Sequence, residues 1–143
     1  MPESAPEILL VEDNPDDVEL TLHAFRKYRL ANRVHVVRDG QEALDRLLGD
    51  GDAAGPLPKV VLLDLNLPKV HGLEVLRRLR ADPRTALIPV VVLTTSALDR
   101  DLEESYRLGA NSYIVKPVDF QRFVEVCRVL GLYWLLYNTP PKA

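Results

Sequence analysis

Short apolar runs rich in β-branched residues recur along the chain at Ile8–Val11, Val34–Val37, Val60–Leu63, Val90–Leu93 and Tyr113–Val115, and helically periodic segments separate them. This alternation constrains the fold more than any other feature of the sequence. Strands joined through crossover helices lie parallel in one sheet and are covered on both faces. The third and fourth runs are almost wholly apolar, as central strands of such a sheet must be. At 143 residues, 47% hydrophobic and 27% charged, the chain suits one domain with a packed core, spanning 1–143.

The intervening segments carry helix signals. Asn14-Pro15-Asp16-Asp17 offers a cap, a proline at the first helical position and acids at the positive helix end, with Val18, Leu22 and Phe25 as the buried stripe. Asp39-Gly40-Gln41-Glu42 resembles a capping box, followed by Ala43, Leu44, Leu47 and Leu48 inward and Gly49 as a stop. A surface loop is expected from Gly51 to Pro58. A third helix should span Gly72 to Ala81, burying Leu73, Leu76 and Leu79, and end before Asp82-Pro83. The fourth is predicted from Ser96 to Gly109. The fifth is predicted from near Asp119 to about Tyr137, followed by a short tail.

Composition excludes several classes. The net charge is −3 and the basic residues are scattered, so direct nucleic-acid binding is not expected. Cys127 is the only cysteine, which rules out an intramolecular disulfide and suits a reducing compartment, with the thiol buried in a helix. Met1–Glu7 lacks the features of a signal peptide, and no run approaches the roughly 18 apolar residues of a membrane span. A cytoplasmic protein without membrane contact is the expectation. His23, His35 and His71 lack metal-ligand spacing and read as structural.

In an open parallel sheet, ligands bind beyond the carboxyl ends of the strands. Glu12 and Asp13 follow the first run, Asp64 and Asn66 the third, Thr94 the fourth and Lys116-Pro117 the fifth, so acids, a hydroxyl and an amine converge on one edge. Acids brought together repel, and a hard, oxygen-seeking divalent cation relieves the repulsion. A carboxylate can also attack phosphorus, a reaction that asks a protein for positioning and charge neutralisation.

Through V-E-D-N-P, V-V-L-L-D-L-N-L-P-K-V-H-G, V-V-V-L-T-T-S and Y-I-V-K-P, the chain resembles the receiver domain of two-component response regulators over almost its whole length. The resemblance implies a flavodoxin-like three-layer α/β/α fold with five parallel strands in order 2-1-3-4-5. It implies phosphoryl transfer from a sensor histidine kinase onto Asp64, with Mg²⁺ (or Mn²⁺) held by Glu12, Asp13, Asp64 and the backbone carbonyl of Asn66. Lys116 and Thr94 would bind phosphoryl oxygens, Thr94 and Tyr113 would form the switch, and Thr95 would govern access. Pro117 lies where the family has a cis peptide. V-E-D-N-P-D-D-V-E-L-T and the aromatic C-terminus are also similar to the small receivers that partner phytochrome-type kinases.

The last helix carries two apolar stripes. Phe120, Phe123, Cys127, Leu130 and Trp134 form one, and Val126, Val129, Tyr133 and Leu136 the other. One sheet covers one face, so the second stripe is expected to pair in a homodimer rather than fold back on its own domain. Two other classes compete with the receiver. A phosphatase of the haloacid dehalogenase type also uses Asp, Thr or Ser, Lys and Mg²⁺, but its usual second acid two residues after the nucleophile is Asn66 here. A flavin-binding module rests on fold analogy alone. No G-x-x-x-x-G-K-[ST] loop for nucleotide hydrolysis is present. A phosphoacceptor signalling protein, not an enzyme, is the reading that follows.

Overall fold

The computed structural model describes residues 7–30, 33–49 and 56–141. Its elements are β1 (Ile8–Val11), α1 (Pro15–Lys27), β2 (Val34–Val37), α2 (Gly40–Leu48), β3 (Val60–Leu63), α3 (Gly72–Ala81), β4 (Val90–Thr94), α4 (Asp99–Arg107), β5 (Ser112–Val115) and α5 (Phe120–Leu132). A π-helical turn, Tyr133–Tyr137, extends α5. The strands are all parallel in the order β2-β1-β3-β4-β5, as expected. The first five residues of the expected 51–58 loop lie outside the described residues.

Alternation along the strands divides the core between the two faces of the sheet. Leu9, Val11, Val61, Leu63, Val90 and Val92 pack against Leu44 and Leu47 of α2 and Val75, Leu76 and Leu79 of α3. Ile8, Leu10, Leu62, Val91 and Leu93 pack against Phe25 of α1 and Phe123, Cys127 and Leu130 of α5. Leu22, Leu48 and Leu73, expected inward, are half-buried at the margins. Burial pushes the Cys127 thiol up to about 12, as suits a cysteine used for packing. No helix among the described residues is long and apolar enough to cross a membrane.

Local chemistry sets the helix starts. Asn14 Oδ1 accepts from the backbone N–H groups of Asp16 at 2.9 Å and Asp17 at 3.2 Å, with Pro15 at the first helical position. Asp39 Oδ1 accepts from Glu42 N, and Glu42 reaches back to Arg38 N, one residue beyond the usual capping-box partner. His71 Nδ1 caps α3 by accepting from Leu73 N at 3.1 Å.

Four local expectations are corrected. The fourth helix starts at Asp99, not Ser96, because the Ser96 hydroxyl accepts from Leu98 N and holds a turn ahead of it. Phe120 is 51% exposed, since it precedes the turn of α5 that first meets the sheet. The π-turn, closed by Asn138 N donating to Tyr133 O, shifts the phase of the last stripe so that Leu135 is buried and Trp134 only half-buried. Finally, the described residues contain no cis peptide, so Lys116-Pro117 is trans, the isomer favoured for X–Pro bonds. The Lys116 ammonium reaches the acidic cluster from that geometry.

Arg80 joins two connections, α3–β4 and α4–β5, on the opposite side of the sheet from α1. Its guanidinium donates to the carbonyls of Gly109, Ala86 and Ile88 and to Asn111 Oδ1, while Asn111 Oδ1 also accepts from Val90 N. Replacing it strands several partly buried carbonyls. Arg80→Met should lower unfolding free energy by about 2–4 kcal/mol in urea denaturation.

Candidate functional site

The site is a consequence of register. Val11 and Leu63 are paired neighbours on β1 and β3, and Asp64 N donates to Val11 O at 3.1 Å, so Glu12 and Asp64 leave adjacent strand ends together. On the other side, Thr94 pairs with Val115 and Lys116 N donates to Thr94 O at 2.7 Å. Four strands therefore deliver Glu12, Asp13, Asp64, Thr94 and Lys116 to one sheet edge. Gly72 closes the floor: its N–H donates to Leu65 O at 2.8 Å, and a Cβ there would lie 2.3 Å from Asp64 O.

One ammonium meets three carboxylates. Lys116 Nζ donates to Glu12 Oε1, to Asp17 Oδ2 at 2.8 Å and to Asp64 Oδ2 at 3.0 Å. Glu12, Asp64, Thr94 and Lys116 are all buried. Burial alone would raise the Asp64 carboxyl, but the Lys116 charge and a hydrogen bond from Thr94 outweigh it and hold the group below its usual range. Burial lowers the Lys116 ammonium less than Asp17, Glu12 and Asp64 raise it, so it stays charged. Glu12 goes the other way: burial and the charge of Asp64 beat Lys116 and push it up to about 7.

That imbalance bears on metal binding. One positive charge does not compensate the acids gathered here, and Glu12 sits on the edge of protonation at neutral pH. Glu12, Asp13 and Asp64 each offer a carboxylate oxygen, and these atoms lie within 4.8 Å of one another. Asp13 is exposed and so gives access from solvent. The donor set is all oxygen, which matches a hard divalent cation. Asn66, two residues past Asp64, is exposed on the same loop.

The expected switch residues are linked through Ser96. Thr94 Oγ1 accepts from Ser96 N at 3.3 Å, and the half-buried Tyr113 hydroxyl donates to Ser96 O at 2.9 Å. Thr95 is exposed beside them. Pro117 follows Lys116 and borders an open groove with Val115, Arg122, Glu125 and Val126. Val129, Tyr133 and Leu136 are 50%, 48% and 57% exposed, with Val126 half-buried. Sequence reasoning missed Asp17. Its position in the first turn of a capped helix already explains an acid there, and only the contact between α1 and the end of β5 reveals its bond to Lys116.

Comparison with known proteins extends this geometry. Residues 8–128 match the model of the response regulator receiver domain. The response regulator Rcp1 of Synechocystis is 36% identical over 137 residues, covering 95% of this chain and 93% of its own. Its Mn(2+)-bound form superposes with a TM-score of 0.87, covering 94% of this chain and 98% of that one. The phosphorylated cyanobacterial phytochrome response regulator RcpA is 38% identical with a TM-score of 0.90, covering 97% and 100%. The bacteriophytochrome response regulator AtBRR is 51% identical with a TM-score of 0.71, covering 96% and 100%.

Proposed function

The chain belongs to the response regulator receiver family of two-component systems, and on that premise we propose that Asp64 is its phosphoacceptor, charged by a sensor histidine kinase. The observation that carries this reading is the Asp64 carboxylate, buried and 3.0 Å from the Lys116 ammonium, beside two further acids at the sheet edge. The Asp64 oxygen forms a bond to phosphorus as the bond from phosphorus to the donor imidazole nitrogen breaks, and the imidazole leaves with a proton. Lys116 neutralises a phosphoryl oxygen, and Thr94 donates its hydroxyl to another. A divalent cation, Mg²⁺ or Mn²⁺, held by Glu12, Asp13, Asp64 and the Asn66 carbonyl, would supply charge neutralisation of the acids and the phosphoryl group.

Thr94 moving toward the phosphoryl group pulls on Ser96, and Ser96 holds the Tyr113 hydroxyl. The output is this displacement of the β4–α4 connection and of Tyr113, read by a protein partner. The receiver domain switches and does not turn over substrate. Likeness to RcpA, Rcp1 and AtBRR supports a phytochrome-type kinase as the donor. The stripe of exposed Val129, Tyr133 and Leu136 with half-buried Val126 supports a homodimer through the C-terminal helix. Val129→Glu should then shift sedimentation from dimer to monomer at micromolar concentration.

The function is tested by mixing the protein with an autophosphorylated phytochrome-type kinase. The label should move to wild type and not to Asp64→Asn. Transfer from other histidine kinases at equal or greater rate would reject the phytochrome assignment, and transfer to Asp64→Asn would reject the acceptor.

A further inference from the structure

Asp17 lies outside the acid cluster that can share a cation, which consists of Glu12, Asp13 and Asp64, yet it bonds Lys116 Nζ at 2.8 Å. An ammonium has three N–H donors, and here Glu12, Asp17 and Asp64 take all three. Two of those partners have other duties once the site works. Glu12 faces the cation, and Asp64 carries the phosphoryl group. Asp17 alone has no second role.

Its own placement is firm. Asp17 N donates to Asn14 Oδ1, and Asp17 O accepts from the buried Thr21 hydroxyl at 2.7 Å, so the residue is fixed in the first turn of α1. The Asp17 side chain is 20% exposed against 4% for Lys116, so the pair is largely shielded from screening by solvent. A lysine has four rotatable side-chain bonds and no preferred fork geometry, so its ammonium stays in one place only if something holds it there.

We propose that Asp17 is a positioning residue that anchors Lys116 at the acceptor while the other two carboxylates change partners. The inference rests on the phosphoacceptor reading above. Without Asp17, Lys116 leans on Glu12 and Asp64 and is no longer held where an incoming phosphoryl oxygen needs it.

The test is a double-mutant cycle between Asp17→Asn and Lys116→Met, read by the rate of phosphorylation from acetyl phosphate at saturating Mg²⁺ and by urea unfolding without Mg²⁺. Asp17→Asn in the wild-type background should slow phosphorylation about tenfold, and Asp17→Glu should recover part of the loss. In the Lys116→Met background the same change should leave the rate unaltered. Unfolding should show a change of sign: Asp17→Asn lowers the urea midpoint when Lys116 is present and raises it when only repelling carboxylates remain. Equal slowing in both backgrounds, or additive unfolding effects of one sign, would assign Asp17 a structural role only. Undiminished phosphorylation of Asp17→Asn would overturn the proposal while leaving Asp64 as acceptor, whereas an unphosphorylated wild type would remove the reading beneath it.

Discussion

Lys116→Met should lose phosphorylation by a factor of about 10² to 10³ at saturating Mg²⁺, the scale on which removal of one preorganised charged or hydrogen-bonding group acts in a water-poor site. The same substitution removes the one cation that, among the described residues, bonds Glu12, Asp17 and Asp64. Uncompensated buried carboxylates cost about 3–5 kcal/mol when a partner is deleted. The variant should therefore unfold at distinctly lower urea in the absence of a divalent cation. The sign of its pH dependence follows from Glu12, whose carboxyl is already pushed up to about 7 with Lys116 present. A carboxyl raised in the folded state favours folding while protonated and loses that contribution as pH rises through the folded value. Without Lys116 the raising grows, so the deficit relative to wild type should shrink as pH falls from 8 to 5. Added Mg²⁺ should narrow it at neutral pH. A deficit that is constant with pH would mean that the loss comes from packing of the lysine stem, not from charge.

Gly72→Ala should have the second large effect, although residue 72 carries no functional group. A Cβ there would lie 2.3 Å from Asp64 O and 2.7 Å from Leu65 Cα, both backbone atoms that cannot rotate aside. Either α3 backs away from β3 or the segment carrying Asp64 shifts. Forced overpacking costs typically about 1–3 kcal/mol, and misplacing a reacting group by about an ångström costs on the order of 10²-fold in rate. Urea unfolding and the rate with acetyl phosphate measure the two parts. Gly40→Ala offers a comparison, because a Cβ there would come 1.9 Å from Val70 O on the same loop but farther along from Asp64. It should destabilise as much and slow phosphorylation less. Equal slowing by both would show that the rate follows global stability, not the position of Asp64.

The elements that were legible in sequence are those with strong local periodicity. Val60–Leu63 and Val90–Leu93 read as buried strands because every residue is apolar, and they occupy adjacent places in the sheet interior. The caps at Asn14 and Asp39 read correctly because a side-chain oxygen and its N–H partners are within three residues of each other. What escaped is either non-local or a small change of phase. Arg80 and Asp17 look like ordinary surface charges, and the bonds to Gly109 and Lys116 that give them their roles span 29 and 99 positions in sequence. The stripe through Trp134 failed because one π-turn adds a residue to the helical period, and no composition signal marks it. Serine favours a helix start, which points to Ser96 in the sequence, whereas here its hydroxyl holds the preceding turn. The grouping of Glu12, Asp13, Asp64, Thr94 and Lys116 follows from their places just after apolar runs of a parallel sheet, whereas the strand order came from family resemblance, and pairing of β1 with β3 and β4 with β5 supplies the physical basis of both.

The proposed transfer of a phosphoryl group to Asp64 adds a fixed mass to the chain. It is tested most directly by intact-protein mass after incubation with Mg²⁺ and a small phosphodonor such as acetyl phosphate, for wild type and Asp64→Asn. A Mg²⁺-dependent gain of one phosphoryl group is expected in wild type alone. A folded, Mg²⁺-binding wild type that gains nothing, or an Asp64→Asn variant that gains the same mass, would contradict it.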